Sequence, residues 1–140
     1  MLRILAFDVG EKRIGIAVSD PLGITAQGIE TYHRTDDLEK DVSHLLSVAD
    51  GYRPVKLVFG MPRNMNGSYG MQAEATRAFA DAVLEKWDGE HAFEDERLTT
   101  ASAKRVLLEA DMRRDKRKKV IDKVAAVLIL QSYLDAHGNT

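Results

Sequence analysis

The sequence predicts an α/β domain built on a five-stranded mixed sheet, with the first three strands antiparallel and helices on both faces. Two patterns carry that expectation. Residues 2–32 read as three short extended segments joined by turns. Beyond residue 34, helical and extended patterns alternate, as they do when crossover helices complete a sheet. A third observation is size: 140 residues predict one domain spanning 1–140, large enough to bury a core without disulfides.

An apolar run from Leu2 to Val9 stops at Gly10, and a second from Ile14 to Val18 follows the charged Glu11, Lys12 and Arg13, which predicts a hairpin. Pro21 and Gly23 turn the chain into a third strand, Gly23 to Tyr32. Thr35 or Asp36 can cap a helix running to about Asp50, with Leu38, Val42, Leu45, Leu46 and Ala49 at helical spacing. Gly51 and Pro54 close it. Val55 to Phe59, stopped by Gly60, has the unbroken apolar character of a central parallel strand. The turn-rich stretch 60–70 lies where a strand's carboxyl end meets a helix, the edge at which open α/β sheets bind ligands.

A helix from Met71 to Trp87 follows, with Ala75, Ala78, Phe79, Ala82 and Val83 expected on its inner stripe and Trp87 as a core plug. A short strand, His91 to Phe93, is expected to pair beside the first strand, and it leads into Glu94, Asp95, Glu96 and Arg97. A helix near Thr100 to Ala110 and a basic loop precede the last helix, Val120 to about His137. That helix carries Val124, Ala125, Val127, Leu128, Gln131 and Leu134, with Asp122 in its first turn.

The chain has no cysteine, so neither disulfides nor thiolate metal sites contribute, as suits a reducing compartment. No signal-peptide pattern opens it and no apolar run approaches membrane-spanning length, so a cytoplasmic protein without a membrane partner is expected. The net charge of −2 and pI near 6.1 do not point to a polyanionic partner, but the distribution does. Residues 113–119 hold six basic side chains and one acid, a local charge of +5 that leaves −7 for the rest. Such a cluster is an electrostatic footprint for phosphates, although a solvated charged loop has the same composition.

Asp8 is the anomaly of the first strand, because a carboxylate among apolar residues is costly to bury unless a cation meets it. A turn-capping Asp before Gly is the plainer account of the same string. The acids at 94–96 form a second anomaly. Together with Asp122 they place carboxylates at element ends that an α/β fold can bring together. Converging carboxylates repel unless a cation joins them, and hard oxygen donors select Mg²⁺ or Mn²⁺ over zinc. A divalent ion held in this way suits phosphodiester chemistry.

Four motifs in chain order then carry a resemblance that covers nearly the whole chain. They are Phe7-Asp8-Val9-Gly10-x-x-Arg13-Ile14-Gly15, the turn from Val58 to Pro62 with Asn64 and Gly67-Ser68, Asp95-Glu96-Arg97-Leu98-Thr99-Thr100, and Lys119-x-x-Asp122-Lys123-x-Ala125-Ala126. Together they resemble the YqgF family, which has a ribonuclease-H-like fold and is related to Holliday-junction resolvases. The resemblance implies a cytoplasmic nuclease that trims the 5′ end of pre-16S ribosomal RNA, a family also described as resolving branched DNA. It implies Asp8, Glu96 and Asp122 as catalytic residues and ligands of Mg²⁺ or Mn²⁺, and strand alternation favours Glu96 over Asp95. Arg13, Pro62, Asn64, Ser68, Arg97, Arg114, Lys116 and Lys119 would meet the nucleic acid.

Two departures from the family pattern, Asn66 and Ser102, fall where an acid is common. Resolvase relatives also carry a second acid on the last helix, where this chain has Ala125 and Ala126. Two rival readings follow from the same residues. The hairpin around Asp8 also serves as the phosphate-binding element of actin-like and sugar-kinase proteins, which need two such domains. A non-catalytic ribosome-assembly factor would use the basic segment equally well. A resolvase requires a homodimer, whereas an RNA-trimming enzyme can act as a monomer.

Overall fold

The computed structural model describes residues 3–61, 70–95 and 114–137, and within them the side chains of 71, 72, 95 and 114–123 are left undescribed. The expected five-stranded mixed sheet is present. Strands β1 (Ile4–Val9), β2 (Arg13–Ser19), β3 (Ala26–His33), β4 (Lys56–Met61) and β5 (Glu90–Asp95) stand in the order β3-β2-β1-β4-β5. The first three are antiparallel, and β4 and β5 run parallel to β1. Helices α1 (Leu38–Tyr52) and α2 (Met71–Leu84) cover one face, and α3 (Arg114–His137) covers the other.

Strand β5 pairs with β4 and not beside β1 as the sequence suggested. The crossover through α1 carries the chain from β3 past β2 and β1 to the place next to β1, and the crossover through α2 steps one position further in the same direction, so β4 lies beside β1 and β5 takes the edge. Strand β4 also runs through Gly60 to Met61, because pairing with Glu94 and Asp95 holds a glycine that propensity alone would treat as a stop. At the other end β3 begins at Ala26, later than Gly23. The Asp20 carboxylate accepts the amides of Ile24 (2.7 Å) and Thr25 (3.0 Å), which keeps those residues in the turn.

The two sheet faces are filled by the two parities of each strand. Leu5, Phe7, Val9, Ile14, Ile16, Leu57 and Phe59 pack with Val42, Leu45, Ala49, Phe79, Ala80 and Val83 of α1 and α2. Ile4, Ala6, Ala17 and Val58 pack with Ala126, Ile129, Leu130, Tyr133 and Leu134 of α3. Ala6 lies opposite Ala17, so small side chains let α3 approach the sheet centre closely.

The inner stripes match the expectation at Val42, Leu45, Ala49, Phe79, Val83, Ala125 and Leu134 and differ elsewhere. Ala75 and Ala78 are exposed, and the buried positions of α2 are Ala73, Thr76, Phe79, Ala80 and Val83. Leu38 is 48% exposed. On α3 the buried residues are Ala125, Ala126, Ile129, Leu130, Tyr133 and Leu134, while Val124, Val127, Leu128 and Gln131 are half-buried. Trp87 packs partly buried against the first core, as expected of a plug. In each helix several apolar phases were available, and the sheet selected one. The expected helix near Thr100 lies outside the described residues.

Helix α1 is capped by Asp37, whose Oδ1 accepts the amides of Glu39 (3.0 Å) and Lys40 (3.4 Å), not by Thr35 or Asp36. Thr35 has a different task. Its amide (3.0 Å) and hydroxyl (2.9 Å) both donate to Oδ1 of Asp41, which also accepts from the Tyr32 hydroxyl (2.9 Å). The other oxygen, Oδ2, faces Arg34 Nε at 3.6 Å, and the Asp41 side chain is 1% exposed. Burial pushes this carboxyl up, yet the Thr35 and Tyr32 hydrogen bonds and the Arg34 charge outweigh it and hold it below the usual range.

A carboxyl depressed in the fold adds stability at pH values above its unfolded value, and that stability drains away as pH falls through its folded value. Loss of the Asp41 contribution is therefore expected below about pH 4. Asp41→Ala should cost about 2–3 kcal/mol at pH 7, because it leaves three donors without their acceptor and Arg34 without its ion-pair partner. Urea midpoints measured from pH 3 to 7 check both points: wild type should lose stability at the acid end, and the variant should lose less there.

Candidate active site

The site begins with the register around Asp8. Asp8 sits opposite Gly15 of β2, and Phe7 lies level with Phe59 of β4. Continuing that parallel register by one residue sets Gly60 level with Asp8, and Gly60 is paired with Glu94 of β5. A single row therefore runs Gly15, Asp8, Gly60, Glu94 across four strands. By parity the row faces α3, on the same side as Ala6, Val58 and Ala92. Gly15 and Gly60 add no side chain of their own to the row, and the backbones of Asp8 and Glu94 stand about 10 Å apart, two strand spacings, with Gly60 between them. Asp8 and Glu94 are both partly exposed.

Glu94 was not singled out within the acidic stretch 94–96, because its register could not be read before β5 was known to pair with β4. Asp95 closes β5, its backbone paired with Met61. Glu96 and Arg97 themselves lie outside the described residues, as do Pro62, Asn64 and Ser68.

The direction of helix α3 sets the level at which position 122 lies. Lys56 Nζ donates to the Tyr133 hydroxyl at 2.5 Å, and Gln131 accepts from the Ala26 amide at 3.1 Å while donating to the Ile24 carbonyl at 3.0 Å. Both ties fasten the carboxyl half of α3 at the sheet end opposite Asp8. Its amino half must then run toward Asp8. From Tyr133 back to position 122 the helix rises ~16 Å, and β4 rises ~13 Å from Lys56 to Gly60, so the backbone at 122 reaches the level of the row. The Asp122 side chain is not among those described.

The basic segment proves to be helix, not loop. Residues 114–119 form the first turns of α3, because Lys and Arg are good helix formers and neither Gly nor Pro interrupts them. Asp122 consequently lies in the third turn, where the helix-dipole account of an acid in the first turn no longer applies. Arg114, Lys116 and Lys119 occupy the amino-terminal turns leading to it. Ala125 and Ala126, at the positions where resolvase relatives place further acids, are 1% and 0% exposed against the sheet.

The turn that follows Asp8 is tightly built. The Gly10 amide donates to the Arg13 carbonyl at 2.9 Å, and a Cβ on Gly10 would stand 2.8 Å from that same oxygen, so only glycine fits without a shift. Arg13 opens β2 on the far side of the turn, partly exposed. Among the described residues no group of three His, Cys, Asp or Glu side chains is close enough to hold a metal ion, and no helix there is long and apolar enough to cross a membrane.

Comparison with known proteins agrees with this architecture. A family model described as RuvX, Holliday junction resolvase, matches residues 2–136. A relative in Desulforamulus reducens named "Putative pre-16S rRNA nuclease" is 50% identical over 135 residues, covering 96% of this chain and 98% of the relative. One of the same name in Symbiobacterium thermophilum is 52% identical over 144 residues, covering 98% and 94%. Among solved structures, RuvC of T. thermophilus in complex with a Holliday junction substrate superposes with a TM-score of 0.63 at 11% identity, over 99% of this chain and 97% of that one. The likeness places the fold in the ribonuclease-H-like class.

Proposed function

Because the chain belongs to the RuvX family of Holliday junction resolvases, the family its motifs resemble as YqgF, we propose that it is a divalent-metal-dependent nuclease that processes the 5′ end of pre-16S rRNA. It is an enzyme of phosphodiester hydrolysis with a nucleic acid as substrate. The observation that best supports the site is the row in which Asp8, flanked by Gly15 and Gly60, shares a sheet face with Glu94 and lies at the level reached by position 122. We assign the catalytic and metal-binding roles to Asp8, Glu96 and Asp122, working within one single-domain unit in the cytoplasm.

The donor set fits a hard cation. Every candidate ligand is a carboxylate and the chain has no cysteine, which suits Mg²⁺ or Mn²⁺. When bound, such an ion lowers the pKa of a coordinated water and stabilises the leaving oxygen. The protein's own residues do the rest. Arg114, Lys116 and Lys119, with Arg13 and Arg97, hold the phosphate backbone, and the turn bearing Pro62, Asn64 and Ser68 lines the groove. With Ala125 and Ala126 buried, α3 offers one acid to this site, which favours one firmly held ion over two.

Two measurements test this reading. Labelled RNA carrying precursor rRNA sequence and a four-way DNA junction are incubated in parallel with Mn²⁺ or Mg²⁺. Cutting of the RNA by a monomer supports the proposal. Symmetric cutting of the junction by a homodimer, as the family description favours, would replace RNA with branched DNA as the substrate, and binding without cutting would make the protein an assembly factor. In the second, the three phosphate contacts from Arg114, Lys116 and Lys119 are expected to contribute a factor of about 20 to 40 to the fall in RNA affinity between 50 and 200 mM salt. A charge-neutral triple variant should flatten that slope.

A further inference from the structure

We propose that Arg34 is a positioning residue for the Asp8 turn, an inference that rests on the nuclease reading above. Arg34 follows the last residue of β3 and reaches three elements at once. Its backbone amide donates to the Lys12 carbonyl at 2.8 Å, and its Nη1 donates to the Gly10 carbonyl, also at 2.8 Å. Its Nε faces Asp41 Oδ2 of α1 at 3.6 Å, and its guanidinium carbon lies 4.7 Å from the Phe79 ring centre of α2. One side chain therefore grips the turn between β1 and β2 and anchors it to both helices of that face.

The anchor is itself rigid. Asp41 is held by three donors on Oδ1, from Tyr32 and Thr35, so Arg34 pulls against a fixed carboxylate. The turn it holds runs from Gly10 to Arg13, closed by the Gly10 amide on the Arg13 carbonyl. Asp8 is two residues upstream of the gripped carbonyl, and Arg13 ends the turn. A planar guanidinium can donate to the Gly10 carbonyl, pair with the Asp41 carboxylate and lie against a ring at once, which an uncharged glutamine at this place cannot do. A displacement of about 1 Å at a catalytic group costs on the order of a hundredfold in rate, so slack in this turn is read out as lost turnover.

The test compares wild type with Arg34→Gln, Arg34→Lys and Leu45→Ala. The last opens a cavity under α1 and lowers stability without touching the turn. Below all melting temperatures, Arg34→Gln should lose at least about tenfold in kcat for metal-dependent RNA cleavage with KM within about twofold of wild type. Arg34→Lys, which can still reach the Gly10 carbonyl, should recover most of it. Leu45→Ala should keep kcat despite a lower Tm. Amide exchange provides an independent readout: in Arg34→Gln the Gly10 and Arg34 amides should exchange at least about tenfold faster relative to those of Leu5 and Phe7 in the same sample. Leu45→Ala should leave that ratio unchanged.

Unchanged kcat and unchanged exchange ratio in Arg34→Gln would overturn the inference, as would an equal loss of kcat in Leu45→Ala. Wild-type protein that cuts no nucleic acid would overturn the nuclease reading instead. In that case the exchange ratio alone still decides whether Arg34 holds the turn.

Discussion

Asp8→Asn is expected to lower the rate of metal-dependent cleavage by on the order of 10³-fold, equivalent to about 4 kcal/mol of transition-state stabilisation. The substitution keeps size and shape and removes one anionic oxygen. Because Asp8 lies in β1 with its backbone paired to Gly15, and amide and carboxylate occupy similar space, the ladder should survive and Tm should stay within a few degrees. Rate and stability are thereby separated. Single-turnover cleavage beside a thermal melt checks the claim. A loss smaller than about threefold would remove Asp8 from the chemistry and favour the turn-capping account of the same residue.

The largest expected effect on stability is Phe59→Ala. Phe59 is fully buried at the centre of β4, with its ring 5.4 Å from Phe7 and 5.8 Å from Phe93, both tilted. One side chain thus links three strands on the α1–α2 face. Truncation to alanine should cost about 3–5 kcal/mol, from lost burial plus a cavity that neighbours on a regular sheet cannot fill. Against a typical total of roughly 5–15 kcal/mol, that is a large fraction of the fold. Urea unfolding measures it. Phe59→Leu should recover more than half, and Leu38→Ala, at a position 48% exposed, should cost about 0.5 kcal/mol or less.

What the sequence disclosed follows the range of the interactions involved. The hairpin, the extended segments and the described helices are set by local periodicity and turn residues, and they fall on the stretches of chain expected for them, with α3 starting earlier. Asp8 was conspicuous because a charge in an apolar strand needs a reason. The neighbours of β5 were not legible, because strand order depends on how far each crossover carries the chain rather than on the strand itself. For the same reason the row joining Gly15, Asp8, Gly60 and Glu94 could not be assembled in advance.

Helix phases were legible only in part, for a different cause. Alanine-rich α2 has apolar residues at several angles: Phe79 and Val83 face the core as expected, but only packing on the sheet selects Ala73 and Ala80 over Ala75 and Ala78. The start of α3 was misplaced because a run of like charges reads as a solvated loop, yet charge does not prevent helix formation when the propensities are high. That error mattered for function. Moving the helix start to at least position 114 puts Asp122 in the helix interior, where an acid has no capping role. Arg34 gave no signal at all in the sequence. A single arginine between a strand and a helix is ordinary, and its two carbonyl and carboxylate partners come from segments 24 residues before and seven after it.

In the proposed mechanism Asp8 and its partner carboxylates act through a divalent ion. The decisive experiment is cleavage of labelled precursor-sequence RNA by wild-type protein in Mn²⁺, repeated with excess chelator and again after the metal is restored. Cutting that stops with the chelator and returns with Mn²⁺ or Mg²⁺ is the predicted result. Cutting that continues at the same rate in excess chelator would contradict the account.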